Sequence, residues 1–323
     1  MGDSTRALCC IVPCYNEEAS LPALFDALAE VSPALGRELG LTVGCVLVDD
    51  GSRDRTLELL RAQNAVDPNC HYVSFTRNFG KEAGLLAGMA EALRLFPGED
   101  DLFVIMDADL QDPPSLLVDM VRALDEGGDD VDVAATYRKS RAGEPPIRSA
   151  FSHLFYRLMN SISDVSMRDG ARDFRVMRRR VVQTVVDLPE RVRFSKGLLM
   201  WGGFRTEWIG YENVERAAGE SKWNFWGLMR YAIDGIVAFS VAPLELISVG
   251  GLVVFLLSLV FLLFIFVRAL LFGDPVAGWP SLVCLITLLS GLQLLGLGVV
   301  GLYLSKIYAE TKRRPLYVIR EER

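Results

Sequence analysis

Two uncharged apolar runs near the C-terminal end constrain this chain more than any other feature. Leu246 to Val267 is 22 residues long and Trp279 to Ser305 is 27, and neither contains Asp, Glu, Lys or Arg. About 20 apolar residues let a helix cross a bilayer core, so each run is long enough to span one. Charged residues make up 23% of the 323-residue chain and lie almost entirely before Ala242 or after Ser305. That split predicts a globular domain over residues 1–221, an interfacial amphipathic helix over 222–242, a two-helix transmembrane hairpin over 243–305 and a basic tail over 306–323. Trp223, Phe225, Trp226, Tyr231 and Phe239 crowd the segment before the first run, as aromatics do at a membrane–water boundary.

Charge around the runs sets the expected orientation. Lys306, Lys312, Arg313 and Arg314 follow the second run, whereas the 268–278 connection holds only Arg268 and Asp274. The positive-inside rule therefore places the tail in the cytoplasm, and two crossings return the N-terminal domain to the same side of the cell membrane. Met1-Gly2-Asp3 leads directly into Leu8-Cys9-Cys10 without a basic segment and an apolar stretch of signal-peptide type, so no cleavable leader is expected. A net charge of −7 with no basic patch argues against nucleic acid as a partner. Cys9, Cys10, Cys14, Cys45, Cys70 and Cys284 show no CxxC or zinc-like spacing and read as reduced structural residues.

The first half alternates short apolar runs with amphipathic stretches. Leu8–Val12, Leu41–Val48, His71–Phe75 and Leu102–Met106 read as buried strands. Helical patterns at Glu18–Val31, Arg53–Val66, Lys81–Phe96 and Pro113–Glu126 come between and after them. Such a β-α series predicts an α/β domain with a mostly parallel, Rossmann-like sheet. Ligands of these sheets bind beyond the carboxyl ends of the strands. Further along, strands are expected at Val131–Tyr137, Phe174–Met177 and Arg205–Val214, and a helix at Ile147–Asn160.

The residues that could carry chemistry fall at those strand ends. Asp107-Ala108-Asp109 follows the fourth run, with Gln111 and Asp112 adding oxygens nearby. Alternate carboxylates there suit a hard divalent cation such as Mg²⁺ or Mn²⁺ on a diphosphate; a solvated acidic turn is the plainer alternative. Asp49-Asp50-Gly51-Ser52 ends the second run. Asp50 either accepts hydrogen bonds from a nucleobase or belongs to a capped helix start, with Ser52 or Asp54 as the cap. Glu17 either caps the first helix or faces a nucleoside. Asn78-Phe79-Gly80-Lys81 offers backbone N–H groups and a cation to a phosphate. Gly296, Gly298 and Gly301 match G-x-G-x-x-G but lie inside an apolar run with no strand before them, so a dinucleotide site is excluded. Thr287, Gly291, Gly298 and Ser305 suggest instead a small-residue face for close helix packing.

Together these stretches resemble the family 2 glycosyltransferases of the GT-A fold. More closely they resemble the polyisoprenyl-phosphate glycosyltransferases, among them bactoprenol glucosyltransferases and dolichol-phosphate mannose synthases. The resemblance rests on Ile11-Val12-Pro13-Cys14-Tyr15-Asn16-Glu17-Glu18, Val48-Asp49-Asp50-Gly51-Ser52, Arg77-Asn78-Phe79-Gly80-Lys81, Asp107-Ala108-Asp109-Leu110-Gln111-Asp112-Pro113-Pro114, Asp173-Phe174-Arg175 and Gly219-Glu220-Ser221-Lys222-Trp223. It implies that Pro13, Tyr15, Glu17 and Asp50, with Lys81 beside the phosphates, hold the nucleotide. Asp109 and Gln111 would ligate the metal, with Asp107 on the nucleotide or metal. Arg138 and Arg148 would bind the acceptor phosphate, and Asp173 would be the candidate catalytic carboxylate.

The implied reaction is inverting transfer of a sugar, glucose from UDP-glucose in the leading reading, to undecaprenyl phosphate at the cytoplasmic membrane face. GDP-mannose, UDP-GlcNAc or an aminoarabinose nucleotide are donor alternatives. A processive polysaccharide synthase is disfavoured because Ser195-Lys196-Gly197 and Trp201 stand where a Gln-x-x-Arg-Trp motif is expected. A non-enzymatic scaffold would need the strand-end carboxylates by coincidence. Mid-span Gln293, costly in lipid unless paired, and the small-residue face lead to the expectation of a homo-oligomer, possible as a tetramer, among membrane lipids.

Overall fold

A computed structural model of the chain describes residues 6–139, 157, 159–162, 168, 170–212, 233, 236–237, 239–272 and 278–323. Its strands are β1 (Ala7–Cys14), β2 (Thr42–Asp49), β3 (Cys70–Phe75), β4 (Leu102–Ile105), β5 (Val133–Arg138), β6 (Ala171–Arg178), β7 (Thr206–Tyr211) and β8 (Ile319–Glu322). They form one sheet in the order β7-β5-β6-β4-β1-β2-β3-β8. The pairs β1–β2, β2–β3, β1–β4 and β5–β7 are parallel. Only β6 and β8 run against the rest, so the expected mostly parallel sheet of a GT-A fold is present.

The helices are α1 (Leu21–Leu39), α2 (Thr56–Val66), α3 (Lys81–Leu95), α4 (Leu117–Glu126), α5 (Arg179–Asp187), α6 (Ser195–Trp201), α7 (Ala242–Phe272) and α8 (Trp279–Lys312). A 3₁₀ turn at Pro114–Leu116 leads into α4. Alternate residues of a strand face opposite sides of its sheet, and β1 feeds two cores in this way. Leu8, Cys10 and Val12 pack with Leu21, Leu24 and Leu28 of α1 and with Met120 of α4. Cys9 and Ile11 pack with Met89 of α3 and Val181 of α5 on the other face. With both faces covered, a strand reads as an unbroken apolar run, which is why β1 to β4 stand out in the sequence. Gly88 lets α3 lie close on the sheet: a Cβ there would come within 2.5 Å of Ile11 Cγ2. Cys9, Cys10, Cys14, Cys45 and Cys70 are buried free thiols.

The structure differs from expectation in three ways. Helix α1 begins at Leu21 rather than Glu18 and continues through Pro33 to Leu39. A proline inside a helix costs about 3 kcal/mol, but stopping there would uncover Leu35, which is fully buried. Helices α5 and α6 were not anticipated. Third, part of the segment read as a basic tail adds to the sheet: β8 pairs antiparallel with the edge of β3. Tyr317 stacks on Phe75 with ring centroids 5.0 Å apart, and Arg61 forks onto Glu321 at 2.8 and 2.9 Å.

Among the described residues one helical stretch, Leu288–Lys312, is long and apolar enough to cross a membrane, and a shorter apolar one covers Ala242–Ser258. Leu288, Leu294 and Leu297 in α8, and Val260 in α7, each leave about two-thirds of their surface uncovered. Among the described residues a Cβ built on Gly291 or Gly298 would meet nothing within 4 Å, whereas one on Gly296 would lie 3.4 Å from Ile247 Cγ2 across the two helices. The amphipathic stretches at 147–156 and 222–232, with Arg148 and Trp223, lie outside the described residues.

Candidate active site

The loops that follow β1, β2, β3 and β4 meet at one end of the sheet, and their side chains lash them together. Asn16, at φ 53°, donates its N–H to Ser52 Oγ at 2.9 Å, and its Oδ1 accepts from the Arg53 N–H at 2.8 Å. The Glu17 N–H reaches Thr56 Oγ1 at 2.8 Å. The Glu17 carboxylate accepts the Ser20 hydroxyl at 2.9 Å, and the Glu17 backbone carbonyl accepts the N–H groups of Ser20 and Leu21. Pro13, Tyr15 and Glu17 therefore sit on a rim braced against the β2–α2 loop.

Asp49 and Asp50 divide the work at the end of β2. Asp49, fully buried, accepts the Ser74 hydroxyl at 2.7 Å and the Ser52 N–H at 2.9 Å. Asp50 accepts the N–H groups of Phe79 and Gly80 at 2.6 and 2.8 Å. Burial raises its pKa despite those two bonds. Two of the backbone amides that the sequence offers to a phosphate, those of Phe79 and Gly80, are thus already engaged by Asp50. Gly51 is required between the loops: its φ is +65° and a Cβ would lie 2.4 Å from the Arg77 carbonyl carbon. No other residue type fits so close an approach.

At the centre lies Lys81, the first residue of α3. Its Nζ donates to Asp107 Oδ1 at 2.6 Å and to Asp173 Oδ2 at 2.8 Å. Lys196, from α6, stands 3.6 Å from Asp173 Oδ1. Burial would raise the Asp173 pKa, but Lys196, Lys81 and Arg175 outweigh it and hold the carboxyl well below its usual range. Burial would lower the Lys81 pKa, but Asp107 and then Asp173 outweigh it and raise it above the ordinary value.

Beyond Asp107 the chain turns sharply. Leu110 has φ 55°, a conformation few non-glycine residues adopt outside functional sites. Asp109 Oδ1 accepts the Gln111 N–H at 3.2 Å. Gln111 Oε1 accepts from Arg138 at 3.2 Å and from Arg172 at 3.4 Å, which brings the candidate metal ligand and a candidate acceptor arginine together. Asp112 does not add an oxygen to this site. It is buried, held by the Arg172 guanidinium at 2.9 and 3.2 Å and by the Tyr211 hydroxyl. Burial, then Asp112, pushes the Tyr211 pKa up to about 12.

The site therefore gathers Pro13, Tyr15, Glu17, Asp50, Lys81, Asp107, Asp109, Gln111, Arg138 and Asp173 at one end of the sheet. Arg148 lies outside the described residues. Sequence reasoning missed the roles of Lys196 and Arg172, which reach the site from distant segments and carry no local signal. Among the described residues no three His, Cys, Asp or Glu side chains form a metal cage. Asp107 and Asp109 still supply hard oxygen donors of the kind Mg²⁺ or Mn²⁺ takes alongside substrate phosphates and water.

Comparison with known proteins shows the family. Residues 9–186 match the model of Glycosyl transferase family 2. The bactoprenol glucosyl transferase of Shigella phage SfV is 37% identical over 313 residues, covering 97% of this chain and 98% of that protein. An uncharacterized glycosyltransferase of Synechocystis is also 37% identical, over 98% of this chain and 95% of its own length. Among solved structures, glucosyl-3-phosphoglycerate synthase from Mycobacterium tuberculosis overlaps with a TM-score of 0.48 at 18% identity, over 72% of this chain and 76% of that one. The strand-end carboxylates, the sheet that carries them and the near full-length relatives converge: this chain belongs to glycosyl transferase family 2.

Proposed function

We propose that the chain transfers a hexosyl group, glucose from UDP-glucose, to a polyisoprenyl phosphate at the cytoplasmic face of the cell membrane. The observation that carries this reading is the Lys81 bridge between Asp107 and Asp173, in one chain with Arg138 held on Gln111 and with exposed apolar helices. The relatives named as bactoprenol glucosyl transferases, similar over nearly the whole chain, support the acceptor class.

In this reading Pro13, Tyr15, Glu17 and Asp50 hold the nucleoside. Lys81 neutralises the diphosphate, exchanging Asp107 for phosphate oxygens. Asp107, Asp109 and Gln111 would hold Mg²⁺ or Mn²⁺, which stabilises charge on the leaving diphosphate when bound. Arg138 and Arg148 receive the acceptor phosphate. One of its oxygens forms a bond to the anomeric carbon while the bond to the diphosphate breaks. The electron pair leaves with the nucleoside diphosphate, and the configuration inverts. Asp173, kept ionised by two lysines, positions Lys81 and the sugar rather than removing a proton.

Helices α7 and α8 form a two-span hairpin, and the spans pack into a homo-oligomer. Radiolabelled UDP-glucose and undecaprenyl phosphate test the activity: label appears in butanol-extractable lipid, and its absence with every nucleotide sugar tried overturns the reading. Asp109→Asn lowers the rate by about 10²-fold or more. Full activity in excess EDTA overturns the metal assignment.

A further inference from the structure

Residues 188–194 link α5 to α6 without belonging to a helix or strand, so their backbone amides need acceptors from elsewhere in the molecule. Glu310, in the last turn of α8, supplies one. Its Oε1 accepts the N–H groups of Arg191 and Val192 at 2.8 and 2.7 Å. The Arg191 guanidinium donates in return to the Arg314 carbonyl, just past the end of α8. A carboxylate in the last helical turn faces the negative end of the helix dipole, so helix formation alone disfavours a glutamate there. The two amides of the linking segment offset that.

The same segment leads into the reacting centre. Only Arg193 and Phe194 separate Val192 from Ser195. The N–H and hydroxyl of Ser195 are both held by the carboxylate of Glu82, the neighbour of Lys81. Between these anchors the Arg193 guanidinium donates to the carbonyls of Val185 and Leu188 at 2.6 and 3.2 Å. The Phe194 ring is buried, with its centroid 6.0 Å from that of Phe239. Lys196 comes next, 3.6 Å from Asp173 Oδ1. Two carboxylates from outside the segment, Glu82 on α3 and Glu310 on α8, thus fix the backbone that carries Lys196.

We propose that Glu310 is a positioning residue for sugar transfer: by holding the amides of Arg191 and Val192 it sets the place of Lys196, and through Lys196 that of the Asp173–Lys81 pair. The inference rests on the transferase reading above and deepens it, because it gives the end of an apolar helix a task in the reaction. The place of the acceptor oxygen matters here, not its charge. Glutamine offers a carbonyl oxygen on a side chain of the same length, whereas aspartate keeps the charge and is one methylene shorter.

The test is kinetics of the full chain with labelled UDP-glucose and undecaprenyl phosphate, with UDP retention measured to show that each variant keeps its fold. A misplacement of about 1 Å in a reacting site costs on the order of 10²-fold. A partial release of Lys196 costs less, and Glu310→Ala and Glu310→Asp each lower kcat about tenfold. The KM for UDP-glucose stays within about twofold, and Glu310→Gln restores kcat. When Glu310→Ala is combined with Lys196→Met the losses do not add, since both break one linkage. A second readout needs no sugar transfer: acetylation of lysines by acetic anhydride, mapped by mass spectrometry. Glu310→Asp, which keeps the charge and the fold, raises labelling of Lys196 about fivefold, the size of a partly exposed ion pair, relative to the exposed Lys139. A wild type that transfers to no lipid sinks the transferase reading alone, and the labelling then decides the positioning. Unchanged labelling of Lys196, losses that multiply in the double variant, or a higher kcat with aspartate than with glutamine overturns the proposal.

Discussion

Asp173→Asn separates positioning from proton transfer. The wild-type carboxylate accepts from Lys81 at 2.8 Å and lies 3.6 Å from Lys196. Held well below the usual carboxylate range, it is too weak a base to take a proton near neutral pH. What asparagine removes is the charge that orients Lys81. A hydrogen bond to a charged group contributes about 1.5–3 kcal/mol. Asp173 keeps 21% and Lys81 41% of its side-chain surface exposed, so solvent screening moves the loss toward the lower half of that range. About 2 kcal/mol corresponds to a roughly 30-fold fall in kcat, whereas losing a general base costs about 10²–10⁴-fold.

The pH profile decides the matter. A phosphate monoester loses its second proton at about pH 6, so the rate rises to that point and then levels. In Asp173→Asn the plateau falls and the midpoint stays. Stability does not confound the comparison: with a depressed folded pKa, the contribution of Asp173 is present above about 3.9 and lost only as pH falls through the lower folded value. Rates measured by transfer of labelled sugar between about pH 5 and 8 lie above that window. A fall beyond about 10²-fold, with the acid limb abolished, would refute the argument.

Arg138→Ala raises the KM for lipid phosphate roughly tenfold or more, through loss of a charged hydrogen bond, while the KM for nucleotide sugar changes little; steady-state kinetics with each substrate varied checks both. Gly51→Ala puts a Cβ 2.4 Å from the Arg77 backbone at φ +65° and costs at least about 1–2 kcal/mol, seen as a lower thermal midpoint and weaker nucleotide binding. Leu271→Cys in a background lacking other cysteines reacts with impermeant thiol reagents from outside the cell; labelling confined to the cytoplasmic side contradicts the hairpin topology.

The central sheet was legible because β1 to β4 are buried on both faces and so appear as apolar runs. The site was legible where motif and strand end coincide, as at Asp107 and Asp109. It was not legible where partners come from far away: nothing near Lys196 announces Asp173, and nothing near Tyr211 announces Asp112. Phe79 and Gly80 show a different failure, since their amides suit an anion and the anion turns out to be Asp50. Helix α1 passed through Pro33 because Leu35 had a place in the core. Strand β8 escaped notice because Ile319-Arg320-Glu321-Glu322 is mostly charged, which suits an exposed sheet edge and gives no apolar run to read.

The pairing of β8 with β3 has a consequence for the order in which the chain is built. Residues 319–322 are synthesised after both α7 and α8, yet they cover an edge formed by residues 70–75. Until then the hydrogen-bonding groups on the outer side of β3 stay open, and an open edge invites pairing with other chains. Six residues, 313–318, separate Lys312 from Ile319, and the steps between them reach at most about 25 Å. The closing strand therefore finds its place only when α8 ends near that edge. Completion of the catalytic sheet thus reports that the helices are in position, and a chain cut short at Val241 would carry an unfinished, adhesive edge.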